Sequence, residues 1–196
     1  MRLPPRPALG DRPPVPPADY WDARDAATTC GSAALMQALA AALSAFSVPP
    51  AEVQLVWGGA CCSQDAGAVK VPLLRAAAGQ ALAAACGLKR ADPGLTVVVV
   101  ARASEASEAG AAGFLSAAKE DADITGLFLR PAIPLGGPVT PASLAALAGA
   151  RFIAQGALGG PDLAEVLASA LAHKGLSVVD GLCGGGAAAK ILSSVS

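Results

Sequence analysis

The sequence has few of the residues that mark nucleic-acid-binding or membrane-spanning proteins. Aromatic residues make up 4% of the 196 residues, and the formal net charge is −1. A chain with so balanced a charge has no electrostatic footprint for nucleic acid or for an anionic membrane. No apolar run is long enough, and free enough of glycine, proline and charge, to predict a transmembrane helix. We therefore expect neither nucleic acid nor a membrane among the partners of this chain.

Histidine is nearly absent, which bears on acid–base catalysis. The single histidine, His173, stands at the end of a predicted helix just before Lys174 and Gly175. A helix C-terminus favours a cation there, so the position suits a structural residue. No Ser/His/Asp or Cys/His set can be assembled around His173, and no residue of the chain is assigned as catalytic.

Cysteine is present in an odd number, and the N-terminal residues are rich in proline and arginine without the apolar core of a secretory signal. We therefore expect a cytoplasmic protein, in which cysteines are free thiols, buried filler or metal ligands rather than a disulfide framework. The five cysteines are Cys30, Cys61, Cys62, Cys86 and Cys183.

Small apolar residues are abundant. Hydrophobic residues make up 54% of the chain, and its length suffices for one domain with a sizeable core. Residues 1–19 contain seven prolines and almost nothing to bury, so we predict a disordered lead there. A single α/β domain is predicted over residues 20–196.

Alanine-rich helical stretches alternate with short β-branched stretches through that domain. The predicted helices cover residues 32–46, 73–87, 108–119, 142–148 and 161–173. The predicted strands cover residues 53–57, 97–100, 124–129, 151–154 and 176–182. The strands are too uniformly apolar to have a solvated face, which predicts a parallel sheet covered by helices on both faces.

Ligands of such folds lie at the carboxyl ends of the strands. The loops to inspect are therefore residues 58–63, 101–108, 130–138 and 183–186. The four valines Val97 to Val100 lead directly into the second of these loops.

Taken in order, these regions resemble one family, the β subunit of 2-oxoacid:ferredoxin oxidoreductases, which carries thiamine diphosphate. The resemblance runs from about Trp21 to Leu182. The matching pieces are Cys30-Gly31, Gly58-Gly59 with Cys62-Ser63, Gly79-Gln80-Ala81-Leu82-Ala83, Leu95 to Val100, Asp123-Ile124-Thr125, and His173-Lys174-Gly175 with Ser177 to Asp180. The resemblance implies a thiamine-diphosphate-binding-like fold, thiamine diphosphate with Mg²⁺, an iron–sulfur cluster, an α subunit as partner and ferredoxin as electron acceptor.

The resemblance also places the cofactor-binding positions, and most of them are substituted. These positions are Gly59, Cys62, Ser63, Ala103, Ser104, Glu105 and Arg130. The family follows the valine strand with Gly-Asp-Gly-Asp, where this chain has Arg102-Ala103-Ser104-Glu105. The family's Asn-Asn falls on Arg130-Pro131, and its helix histidine on Ala78. Magnesium requires oxygen ligands, and the alanine supplies none.

Compensation for these losses is an open alternative. Arg102 and Arg130 carry guanidinium groups that match phosphate geometry, and Glu105 or Glu108 could supply a carboxylate one step out of register. Without such compensation the resemblance implies that thiamine diphosphate and Mg²⁺ have been lost.

The cluster ligands implied by the resemblance are Cys30, Cys62 and Cys183, since soft thiolates suit iron–sulfur chemistry. The first cysteine of the family's Cys-x-x-Cys pair falls on Ala27, so Cys61 or Asp25 would have to complete the set. The alternative is a group of residual cysteines without metal.

Two functional hypotheses follow. In the first, the chain is a degenerate β subunit that keeps the fold and acts as a structural or regulatory partner. In the second, it is an active subunit that takes part in oxidative decarboxylation of a 2-oxoacid to an acyl-CoA. A weaker third hypothesis is a module of the same fold that binds an unrelated small molecule.

Overall fold

The computed structural model describes residues 12–22, 32–59, 68–108, 110–131, 139–158, 160–183 and 190–194. Within these ranges six α-helices cover one seven-stranded sheet. The helices are α1 (Ser32–Ala45), α2 (Ala81–Ala91), α3 (Ala103–Glu108), α4 (Ala111–Lys119), α5 (Pro141–Ala148) and α6 (Leu163–Ala172). The strands are β1 (Val53–Gly58), β2 (Leu73–Ala76), β3 (Thr96–Arg102), β4 (Ile124–Pro131), β5 (Phe152–Ala157), β6 (Leu176–Cys183) and β7 (Lys190–Ser194). No described helix has the length and apolar character needed to cross a membrane.

The strands follow the order β2-β1-β3-β4-β6-β5-β7, and the first six run parallel. The predicted fold class, a parallel sheet with helices on both faces, is confirmed. The last strand, β7, pairs antiparallel with β5 at the edge of the sheet, and it was not predicted.

Two predicted elements are wrong in detail. Residues 73–76 were assigned to a helix, but they form strand β2, whose Leu73 pairs with Leu55 of β1. Hydrogen bonding to the edge of the sheet outweighs the weak helical preference of a short apolar stretch. Gly79 with φ +74° then separates this strand from α2. The loop predicted at residues 101–108 is largely the short helix α3.

The valine run of β3 is continuous because the sheet has two apolar faces. Successive side chains of a strand point to opposite faces. Val98 and Val100 belong to the core that contains residues of α1 and α6. Val97 and Val99 belong to the core that contains residues of α2, α4 and α5. All four are at most 2% exposed, so neither face of the strand reaches water.

The proline-rich segment is described from residue 12 onward. Arg12 forms an ion pair with Glu52 at 2.9 Å, and Val15 packs against the core beside α1. Residues 1–11 lie outside the described residues. The predicted domain boundary at residue 19 stays a prediction.

A fully buried carboxylate connects the middle of the sheet. Asp180 of β6 accepts hydrogen bonds from Nε of Arg130 on β4 and from Nε2 of Gln155 on β5, both at 3.2 Å. The backbone N–H of Ala142, in the first turn of α5, donates to the same carboxylate. Burial raises the pKa of Asp180 above its ordinary value of 3.8, and Arg130, Gln155 and Ala142 oppose that rise. The carboxylate thus joins three strands and one helix.

Replacing Arg130 by methionine should destabilise the fold by about 3 kcal/mol at neutral pH, because it leaves Asp180 buried and unpaired. A carboxyl whose pKa is raised on folding favours the folded state below its unfolded pKa and disfavours it as the pH rises through the folded pKa. Arg130→Met removes the attraction that lowers the pKa of Asp180, so in the variant this carboxyl takes up a proton at a higher pH. The loss of unfolding free energy relative to wild type should therefore be smaller at pH 5 than at pH 7. Urea unfolding at both pH values measures this difference.

The double variant Arg130→Met/Asp180→Asn is the matched control, since it removes both charges together. It should recover most of the stability lost in the single variant and lose the pH dependence. If Arg130→Met loses the same unfolding free energy at pH 5 and at pH 7, this role of Asp180 is contradicted.

Candidate functional site

The carboxyl ends of the parallel strands meet at one edge of the sheet. Strand β1 ends at Gly58, β3 at Arg102, β4 at Pro131 and β6 at Cys183. Pro131 and Cys183 are register partners. The structure therefore brings four groups of predicted site residues to this edge: Gly59, Ala103 to Glu105, Arg130 and Cys183. The predicted site residues Cys30, Cys62 and Ser63 lie outside the described residues.

The chain changes direction across the sheet between β1 and β3. From β1 it crosses to β2 on one side, and β3 then pairs with β1 on the other side. Open α/β sheets bind ligands in the crevice at such a switch point. We call the space bounded by Gly58, Gly59, Ala101 and Glu105 the switch-point crevice.

The carboxylate of Glu105 lies directly on the glycine backbone in this crevice. A Cβ atom at Gly59 would be 2.5 Å from Oε1 of Glu105 and 2.7 Å from its Oε2. A Cβ atom at Gly58 would be 3.0 Å from Oε2 and 2.8 Å from Cβ of Ala101. Gly58 is needed because Cβ of Ala101 leaves no space for a side chain, whereas a side chain at Gly59 would displace the end of the flexible Glu105 side chain. Gly59 also has φ +41°, which strains any other residue.

A narrow pocket adjoins the carboxylate, and its described lining includes one charged residue, Glu105. The other described lining residues come from the start of α2, the end of β3, the region of α3 and α4, and β4. They are Gly79, Ala81, Leu82, Ala101, Ala106, Gly110, Phe114 and Phe128. Oε2 of Glu105 is buried, and within the described part of the chain it has no hydrogen-bond partner.

The three positions before Glu105 differ from the pattern that the resemblance implies. Ala103, at the position of the family's aspartate, is 7% exposed and has only a methyl group to offer. Arg102 and Ser104, at the positions of glycines, are exposed. Helix α3 begins at Ala103, so the backbone enters a helix where a glycine-rich loop was expected.

Arg130 lies at the predicted edge, but its guanidinium is engaged inside the sheet. Nε lies 3.2 Å from Oδ1 of Asp180, and the arginine side chain is 24% exposed. The contact accounts for the arginine without any ligand, because the carboxylate it faces is fully removed from water.

The described cysteines are buried or half-buried thiols. Burial raises the pKa of Cys183, at the end of β6, and burial is also the main cause of the raised pKa of Cys86 in α2. Cys183 is also far from the end of β1, because β6 lies three positions from β1 in the sheet and the axes of the two strands are about 14 Å apart. Among the residues that the structure describes, no three or more His, Cys, Asp or Glu side chains are grouped to hold a metal ion.

The sequence did not predict which residues contact Arg130 and Gly59. Asp180 and Gln155 were not assigned to the site, although a charged residue after Val178 and Val179 in a buried strand must have a partner. The pair Gly58-Gly59 lies in a loop that the sequence predicts as a ligand site, with Gly59 as a cofactor-binding position, but its close contact with Glu105 is not predicted.

The sequence comparisons support the resemblance. No family model matches the chain. The β subunit of 2-oxoacid:ferredoxin oxidoreductase from Saccharolobus solfataricus is 27% identical over 178 residues, covering 77% of this chain and 58% of the relative. The β subunit of 2-oxoacid:ferredoxin oxidoreductase 1 from Aeropyrum pernix is 28% identical over 176 residues, covering 77% and 55%. The chain thus spans somewhat more than half the length of these relatives.

Solved structures show the same fold. A 2-oxoglutarate:ferredoxin oxidoreductase from Magnetococcus marinus matches with a TM-score of 0.77 and 22% identity, over 90% of this chain and 70% of that one. A thiamin-diphosphate-dependent enzyme from Mycobacterium smegmatis, whose function is assigned only provisionally, matches with a TM-score of 0.54 and 20% identity, over 72% and 30%. The expected resemblance is confirmed: the chain is similar in sequence to β subunits of 2-oxoacid:ferredoxin oxidoreductases and shares a fold with thiamine-diphosphate-dependent enzymes.

Proposed function

We propose that the chain is a degenerate β-type subunit of a 2-oxoacid:ferredoxin-oxidoreductase-like assembly, deficient in thiamine diphosphate, and that it serves as a structural or regulatory partner of an α-type subunit. The observation that carries this proposal is Ala103, a buried alanine at the position of the family's metal-binding aspartate. It stands where a fold of this kind receives its ligand.

The residues at the crevice do not fit a metal diphosphate. A magnesium ion that bridges the diphosphate requires several oxygen ligands, and Ala103 provides none. Glu105 supplies a carboxylate, but it lies on the floor of the crevice, where it takes up the space itself.

Compensation by Arg130 is unfavourable for a separate reason. Turning its guanidinium toward a diphosphate would leave Asp180 buried without its cation. Breaking a buried pair in this way costs about 3–5 kcal/mol. Any affinity gained from the arginine would have to exceed that cost.

The relatives support the partner named in the proposal, since both are named β subunits. We infer that this chain pairs with an α-type subunit, and that ferredoxin is a partner only if the assembly transfers electrons. The cytoplasmic location expected from the sequence belongs to the same proposal.

Thiamine diphosphate should leave the melting temperature of the purified chain unchanged at millimolar concentration with Mg²⁺. A ligand at a hundredfold excess over its Kd adds about 2.7 kcal/mol of stability. For a chain of this size that corresponds to a rise of about 5–10 °C. Differential scanning fluorimetry with Mg²⁺ alone as the control measures the effect. A rise of several degrees that requires both components would contradict the cofactor-deficient proposal.

The second candidate function is an active subunit that oxidatively decarboxylates a 2-oxoacid to an acyl-CoA, and the names of the relatives favour it. It would require thiamine diphosphate and Mg²⁺ to bind, and an iron–sulfur cluster on Cys30, Cys62 and Cys183 would accompany it. Metal ligation needs a thiolate, and burial disfavours the thiolate of Cys183.

Anaerobically purified protein should therefore contain far less iron and acid-labile sulfide than one cluster per chain. Cys183→Ser should leave both values unchanged, as should the matched control Cys86→Ala, which removes a buried thiol of α2. Elemental analysis and sulfide assay provide the measurement. A full cluster in the wild type that disappears only in the Cys183 variant would support the active subunit instead.

A further inference from the structure

The outer surface of α2, α4 and α5 forms one helical layer over the sheet. Helix α4 packs against α2 on one side and against α5 on the other. A Cβ atom at Gly113 would lie 3.0 Å from Cβ of Leu82, so α4 and α2 are in close contact. Before the last turn of each helix this layer exposes small residues: Ala83, Gly87, Ala112, Ser116 and Ala146. We call this surface, together with the exposed Leu115 and Leu147, the three-helix face.

Two large apolar side chains project from the three-helix face into solvent. Leu115 of α4 is 60% exposed, and Leu147 of α5 is 82% exposed. Among the described residues, the other exposed large apolar side chains are Val139, just before α5, and Leu74 on the edge strand β2. A single exposed leucine needs no explanation, but two on adjoining helices without a charge between them form an apolar patch.

Charge is absent from the three-helix face until the helices end. Helix α5 has no charged residue, and the charged residues of α2 and α4 are confined to the last turn: Lys89, Arg90 and Lys119. Arg90 is paired there with Glu120. In the opposite layer α6 exposes Glu165, and no exposed large apolar side chain of the described residues lies on α1 or α6. Exposed leucines and missing charge therefore coincide on one layer.

An uncharged face is suited to contact with a second copy of itself. In a two-fold interface the same patch is used by both copies, so a charged patch would repel its own image. The three helices have 8 to 11 residues each. At 1.5 Å per residue and about 10 Å per helix they cover about 450 Å². Two such faces bury about 900 Å² in total, close to the lower limit of a specific interface and typical of weak association.

We propose that two copies of this chain pair in solution through the three-helix face, with Leu115 and Leu147 as its apolar anchors. The inference goes beyond the proposed function and does not depend on it. The three-helix face lies on one side of the sheet, whereas the candidate site lies at the carboxyl ends of the strands.

Analytical ultracentrifugation of the purified full chain over a concentration series measures this pairing. Wild-type protein should form dimers with a Kd in the micromolar range, as interfaces of this size do. Leu115→Glu and Leu147→Glu should each weaken the dimer at least about tenfold, because each places an unpaired carboxylate in both halves of an apolar interface.

Leu74→Glu is the matched control, since it makes the same change at an exposed leucine outside the three-helix face. It should dimerise as wild type does. Gly87→Gln tests the face without removing a contact of the fold, because a Cβ atom at Gly87 would meet no other atom within 4 Å. Its dimer should be weaker, while its melting temperature should be no lower than that of wild type, since glycine is a poor helix former. Thermal unfolding establishes that each variant is folded.

Two results would overturn the inference. If wild-type protein stays monomeric at the highest concentration of the series, no second copy covers the face, and the α-type subunit of the proposed function becomes its candidate occupant. If Leu115→Glu and Leu147→Glu both dimerise as tightly as Leu74→Glu, the copies pair through another surface. Neither result bears on cofactor binding, which the melting temperature with thiamine diphosphate and Mg²⁺ tests separately.

Discussion

A sheet covered on both faces leaves no water for a charged side chain inside it, and this constraint determines how the polar residues of the chain are arranged. Asp180 is fully buried between two apolar neighbours of β6, so its charge must be met from adjacent elements. Arg130, Gln155 and the first turn of α5 meet it. Arg130, at the end of β4, is therefore needed to neutralise Asp180 inside the fold, whether or not it contacts a ligand.

The same requirement shapes the edge where a ligand would bind. On one side the cation of Arg130 is directed at Asp180, and on the other the anion of Glu105 is directed at the glycines of β1. A metal diphosphate needs the opposite arrangement, with donors turned outward to the ligand. Arg130 is paired with Asp180 and Ala103 offers no oxygen, which is why a thiamine-diphosphate-binding-like fold here supports a proposal of lost cofactor affinity.

The fold class could be predicted because the relevant signals are local. Four valines in succession indicate a strand with two buried faces, and the alternation with alanine-rich stretches indicates crossover helices. The pairing of Arg130 with Asp180 joins residues 50 positions apart, and the contact of Glu105 with Gly59 joins different strand ends. Such contacts depend on which strands become neighbours, and spacing along the sequence does not contain that information. Strand β2 was missed for a related reason, since its four residues acquire their structure from β1.

The substituted positions of the candidate site lie apart from the two cores of the fold. The two cores consist of side chains along the strands and the inner faces of the helices, whereas positions 59, 103, 105 and 130 lie at strand ends. A bound cofactor stabilises the folded state of the protein that holds it, so a chain that loses one loses that contribution. Here Ala103 is buried, Glu105 fills the crevice and Arg130 neutralises Asp180. Ala103 and Arg130 thus make their contacts inside the chain, and none of these contacts involves a cofactor.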